Sequence, residues 1–259
     1  MKRREFLTAG SLAGIAGLSS LTATAMGGES KQEYLELRKY RLNVGPKKNL
    51  LGNFLRKVGI PAMNRIGIGH VGVFSAMYGP NDPTLYVLLV HKSLDTVMNS
   101  ASLLMKDKEY RKAGADFVNA PLSEPTFVRM ESSLMLAFKD MPKLEVPEKK
   151  QRLFELRIYE SHSIKAAKKK IDMFNEGGEI AIFKKTGLTP VFFGETLIGP
   201  LMPNLTYMLV FENMADRDAK WKVFSGDTDW KKLRSNPIYK DTVSNITDIL
   251  LRPANYSQI

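Results

Sequence analysis

Residues 34–40 read YLELRKY and residues 153–159 read LFELRIY, so one chain of 259 residues spells nearly the same strand twice with Glu, Arg and Tyr at the same steps. Side chains alternate along a strand, which puts Leu35 and Leu37 on one face and Glu36, Arg38 and Tyr40 on the other. The second copy repeats the division, with Phe154, Leu156 and Ile158 opposite Glu155, Arg157 and Tyr159.

Working outward, the two halves overlay without gaps at an offset of 120: Gly67 on Gly187, Val71 on Val191, Gly79 on Gly199, Pro80 on Pro200, Pro83 on Pro203 and Leu89 on Leu209. The opening strands match at an offset of 119, with Leu37 on Leu156. These identities fall on turn glycines, prolines and apolar strand positions, which is the mark of an internal duplication that kept the shape of a unit.

Each unit reads as a strand (about 33–42 and 152–161), then a helix carrying Leu50, Leu51, Phe54, Leu55 and Val58 at helical period in the first copy. Gly67 or Gly187 ends that region, and a second strand follows, HVGVF or PVFFGETLI. A Gly-Pro turn leads to a third strand, LYVLLV or LTYMLVF. A helical stretch containing Tyr110, or running from Trp221 to Tyr239, precedes a closing strand. The order is βαββαβ, the ferredoxin-like motif. Residues 26–138 form the first unit, the Pro- and charge-rich KDMPKLEVPEKKQ of 139–151 the linker, and 152–259 the second unit.

The expected fold is α+β: two tandem ferredoxin-like units that pair their antiparallel sheets into one α/β barrel. A lone sheet with helices on one side leaves its other face bare and its edges open, and pairing the two sheets covers both. With the apolar strand faces turned to the helices, the barrel lumen would be lined by Glu36, Arg38, Tyr40, Glu155, Arg157 and Tyr159.

Before the first unit comes MKRREFLTAGSLAGIAGLSSLTATAMGGES, a basic start, a mild apolar run broken by glycine and an A-x-A ending at Ala23–Ala25. This is the pattern of an export signal, and Arg3 and Arg4 before Phe6-Leu7 resemble a twin-arginine signal over residues 1–25. A bacterial periplasmic or cell-envelope location is therefore expected, with no transmembrane span in the mature chain.

The chain has no cysteine, which excludes disulfides, thiolate metal sites and a thiol nucleophile. The formal charge is +11; removing Lys2, Arg3, Arg4 and Glu5 takes away three positives and one negative and leaves +9. Such an excess suits an acidic small molecule or an anionic surface, and export argues against nucleic acid. The densest basic run, Lys165, Lys168, Lys169 and Lys170, reads as the solvated side of a helix whose apolar positions are Ile164, Ala167, Ile171 and Phe174.

The F-E-L-R-x-Y opening, the helix-Gly-strand order after it and the late Trp230, Leu233, Pro237 and Tyr239 are similar to the NIPSNAP family, over residues 33–259. The resemblance implies the dimeric α/β-barrel fold, with the pair of units formed inside one chain. That superfamily includes cofactor-independent oxygenases, haem-degrading enzymes, isomerases and ligand binders, so the resemblance speaks for fold and only weakly for chemistry.

In the expected lumen, Arg38 and Arg157 would anchor an anionic or carbonyl ligand, Tyr40 and Tyr159 would donate, and Glu36 and Glu155 would serve as bases or simply neutralise the arginines. Of the three histidines, His70 falls where the second unit has Pro190, His91 falls on Phe211, and His162 follows the second opening strand. His70 is the candidate catalytic group, because a duplicated scaffold that specialised one site would break its symmetry there. No metal site is expected, since no two histidines have ligand spacing, and no cofactor. Gly67-Ile68-Gly69-His70-Val71-Gly72 has dinucleotide-fingerprint spacing but leads into a strand and fails as one.

Three readings follow: a binder of a small, anionic or carbonyl-containing molecule; a cofactor-independent oxygenase- or isomerase-like enzyme; and a structural or interaction protein of the envelope. A homodimer of internally paired barrels is compatible with each.

Overall fold

The structure is a computed structural model and describes residues 32–45, 49–77 and 83–259. The expected export signal of residues 1–25 and the expected Gly79-Pro80 turn lie outside the described residues.

The first unit contains β1 (Tyr34–Arg41), α1 (Leu50–Phe54), a π-helical turn (Leu55–Gly59), α2 (Ile60–Arg65), β2 (Val71–Ala76), β3 (Thr84–His91), α3 (Leu94–Lys106), α4 (Lys108–Ala113), α5 (Ala115–Val118) and β4 (Arg129–Ala137). The second contains β5 (Leu153–Glu160), α6 (Ile164–Phe174), α7 (Glu179–Lys185), β6 (Thr189–Ile198), β7 (Asn204–Phe211), α8 (Met214–Gly226), α9 (Thr228–Arg234), a 3-10 turn (Pro237–Tyr239) and β8 (Asn245–Pro253). The eight strands close into one barrel in the order β1-β3-β2-β8-β5-β7-β6-β4. The two units meet along the seams β2 with β8 and β4 with β6, and every pairing is antiparallel.

The repeat reaches local detail. Gly67 (φ 88°) and Gly187 (φ 86°) both take the left-handed conformation that ends a helix and that a side chain would resist. Asp107 accepts from the Tyr110 amide at the start of α4, and Asp227 accepts from the Trp230 amide at the start of α9. Equal caps at equal positions thus start α4 and α9.

Three apolar clusters build the core, and they reverse the expected facing of the opening strands. Leu35, Leu37, Phe154 and Leu156 pack with Phe74, Leu88, Met135, Phe192, Met208 and Leu251 from both units, and this cluster fills the barrel interior. Leu144 from the linker and Ile259 from the chain end pack against it. Tyr40 instead joins Leu51, Leu55, Met63, Leu104 and Tyr110 under the first unit's helices, and Tyr159 lies against the matching cluster of the second. Thus Glu36, Arg38, Tyr40, Glu155, Arg157 and Tyr159 face the helical layers, not a lumen. An eight-stranded barrel leaves room for little more than its own side chains, so the interior takes the apolar face. The helix-covered face can satisfy charges with side chains from the helices.

A second departure concerns Lys170. It is buried, with Nζ 2.7 Å from Glu179 Oε2 and 4.5 Å from the Phe174 ring centre, because α7 brings a carboxylate to it. Ile164, expected inside, is 74 % exposed. No described helix is long and apolar enough to cross a membrane.

Candidate functional site

The opening strands carry the same Glu-x-Arg pair into two different surroundings. In the second unit Glu155 is fully buried and accepts four hydrogen bonds: from Arg157 (2.8 Å), twice from Arg217 (2.8 and 2.9 Å) and from the Trp221 indole N–H (2.9 Å). A carboxylate has about four acceptor positions, so Glu155 is saturated. The Arg157 guanidinium lies 4.8 Å from the Trp221 ring centre, and its Nε sits 3.0 Å from Asp248 Oδ1 in ion-pair contact. Tyr159 and Tyr207 share a hydrogen bond of 2.9 Å beside it, and burial pushes the Tyr207 hydroxyl well above the usual tyrosine range.

In the first unit Glu36 accepts three hydrogen bonds: from Arg38 Nε (2.7 Å), Arg38 Nη2 (2.9 Å) and the Ser132 hydroxyl (2.7 Å). The Ser132 position on β4, opposite Arg38, is held in the second unit by Asp248, opposite Arg157. On α3 the positions equivalent to Arg217 and Trp221 are Val97 and Ala101, and Ala101 is exposed. Glu36 keeps a side-chain exposure of 10 %, against 0 % for Glu155. Burial, the largest influence on the Glu36 carboxyl, would raise its pKa, but contacts with His91, Arg38 and Ser132 hold it at about 2. It is an anion at neutral pH.

His91 is fully buried on β3, where the second unit has Phe211. Its Nε2 lies 3.3 Å from Glu36 Oε2, outside hydrogen-bond alignment, and Nδ1 has no partner. Sequence reasoning favoured His70 instead. That residue is exposed immediately before β2, and the structure does not bring it to Tyr40 or Tyr159. His162 is exposed as well. The signal that would have found His91 is strand alternation: Val87, Leu89 and His91 share the helix-covered face, where a polar residue needs a partner.

Tyr40 sits further along β1, edge to face with Phe127 at 5.2 Å. Beyond it, Phe54 stacks on Phe117 at 3.8 Å, and both rings line an open cleft of about 760 Å³ with Asn53, Lys57, Asp116 and Glu124. Among the described residues, no group of three or more His, Asp or Glu side chains is arranged to hold a metal.

A closed barrel of two ferredoxin-like units, with charged pairs under each helical layer, defines a two-unit α/β-barrel protein. The NIPSNAP family profile matches residues 35–142 and again 154–258, and the chain belongs to the NIPSNAP family. Solved structures similar to it include a candidate monooxygenase from Lactobacillus acidophilus NCFM, 10 % identical, with a TM-score of 0.57 and covering 86 % of this chain and 94 % of that one. Another is a candidate monooxygenase from Fusobacterium nucleatum, 9 % identical, with a TM-score of 0.53 and covering 86 % and 92 %. A NIPSNAP-like domain protein from Burkholderia xenovorans is 22 % identical over 41 % of this chain and 89 % of its own, with a TM-score of 0.37. At these identities the likeness of the first two is one of fold. No curated protein matches the chain.

Proposed function

We propose that this protein binds a small molecule on the helix-covered face of its first unit, above the Glu36–Arg38 pair. One observation carries the reading: Glu155 is bonded to Arg217 and Trp221 and wholly buried, while the equivalent positions of the first unit hold Val97 and Ala101 and Glu36 keeps a side-chain exposure of 10 %. The second unit is then the structural copy and the first the working one. The signal-like opening of the sequence supports export, so the ligand would be met in the cell envelope.

The test is native mass spectrometry on protein purified without denaturation. The reading expects a stoichiometric bound mass that is lost in Arg38→Ala and kept in Arg157→Ala. A clean unliganded mass for the wild type, or loss in both variants alike, would overturn it.

A second reading is a cofactor-independent enzyme, and one observation favours it: His91 is buried with an unpartnered Nδ1 beside a carboxylate that stays ionised. In that case His91 would take or give a proton to a molecule bound over Glu36. His91→Phe, which installs the residue found at the equivalent place in the second unit, would then abolish turnover without abolishing binding.

A further inference from the structure

α3 and α8 are helices of 13 residues at equivalent places in the two units, yet they present different outer sides. α3 exposes Leu94 (45 %), Met98 (78 %) and Met105 (50 %), with the exposed Ala101 between the two methionines. These four follow one another at steps of four, three and four residues, which lines them up as one strip along the helix. The side of α3 turned to the core is a different one, carried by Ser100 and Leu104. At the places of the strip α8 has Met214, Asp218, Trp221 and Ser225. There a carboxylate and a hydroxyl interrupt the outer side, and Trp221 turns in to bond Glu155. The fold therefore does not require an apolar strip at this place, since the same chain builds the same helix with a polar one.

Alternating steps of four and three are the spacing of a seam between two helices. The strip is also complementary to itself. When two α3 helices run antiparallel about a two-fold axis, Leu94 of each copy meets Met105 of the other, and Met98 meets Ala101. The small Ala101 gives room to the long, adaptable methionine opposite. Charge decides the direction of pairing. Asp95 lies in the first turn of α3 and Lys106 in the last, both exposed and three helical turns apart, so they share one flank of the strip. Antiparallel pairing sets each Asp95 against Lys106 of the other copy, whereas parallel pairing sets like against like. The helix dipoles favour the same arrangement.

We infer that the strip of Leu94, Met98, Ala101 and Met105 is a docking surface for a second copy of this chain, joined antiparallel through α3, with Asp95 of each copy against Lys106 of the other. The inference goes beyond the binding role proposed above and does not depend on it.

The experiment is sedimentation velocity of the full chain at concentrations from about 1 to 100 µM, the range suited to an interface of modest size. The wild type should pass from monomer to dimer. Met98→Asp, which installs the residue that α8 carries at the equivalent place, should weaken association by about tenfold or more, because it buries a charge at the centre of the seam. Met98 is an exposed residue, so the variant should keep the wild-type circular dichroism; Met105→Ser, the other residue copied from α8, provides a second and milder variant. Asp95→Lys should weaken the dimer by setting Lys against Lys106, and adding Lys106→Asp should restore it by remaking both pairs in reverse. A wild type that stays monomeric throughout would overturn the inference and leave the strip to another occupant. A dimer unchanged by Met98→Asp, or a double charge exchange no tighter than Asp95→Lys alone, would overturn it as well.

Discussion

Lys170 Nζ donates to Glu179 Oε2 at 2.7 Å inside the second unit, where neither side chain is more than 6 % exposed. Burial raises the Glu179 carboxyl, and the attraction of Lys170 opposes that rise. The pair stands beside Phe174, with Trp230 5.9 Å from the ammonium, so water cannot replace either partner.

Lys170→Met should therefore cost about 3–5 kcal/mol, because it leaves a buried carboxylate alone. A carboxyl whose folded pKa is raised binds protons more tightly folded than unfolded. The cost is thus present above the folded pKa and shrinks as the pH falls through it. Urea unfolding of wild type and variant between pH 7 and pH 4 should show the gap narrowing toward acid. The double variant Lys170→Met with Glu179→Leu should recover most of the loss, and a double no better than the single would contradict this account.

Glu36 gives the opposite sign. With its pKa lowered from 4.5 to about 2, the folded state favours the carboxylate, a contribution of about 3 kcal/mol that is complete above the unfolded value and lost as the pH falls toward 2. Glu36→Gln should flatten the stability profile between pH 4.5 and pH 2.5. The readout is the slope of the urea midpoint against pH, since the substitution also lowers stability near neutral pH by leaving Arg38 without its anion.

The order of strands and the duplication were legible in the sequence because backbone geometry demands glycine at Gly67 and Gly187 and apolar residues along β3 and β7. Which face looked inward was not. Both faces of β1 meet protein, and alternation alone cannot tell a sheet-to-sheet interior from a sheet-to-helix one. The six polar residues were legible as two matching sets, yet their surroundings depend on residues 60 or more positions away, Arg217 and Trp221 for Glu155. Lys170 was misplaced for the same reason, since only tertiary contact with α7 reveals Glu179. His91 was passed over for His70 because sequence symmetry marks both and only burial separates them.

Gly67→Ala and Gly187→Ala should each cost about 1 kcal/mol, and nearly the same amount. Both have φ near +87° and neither would bring an added methyl within 4 Å of another atom, so the cost is backbone strain alone. Parallel urea titrations check this. A much larger loss at one position would mean a packing role at that turn.

The shared interior predicts that the two units unfold as one. Phe154 of β5 meets Phe74 of β2 edge to face at 4.9 Å, each fully buried and each from a different unit. Phe154→Ala should cost about 3–5 kcal/mol, the usual loss for a buried aromatic. Because the cavity opens in a core lined by both halves, the loss should appear in a single cooperative transition. Tryptophan fluorescence, reporting only on Trp221 and Trp230 of the second unit, should coincide with far-ultraviolet circular dichroism throughout the unfolding curve. If the fluorescence transition moved while the remaining helical signal kept its wild-type midpoint, the units would be folding separately, and the barrel interior would not be the joint that holds them together.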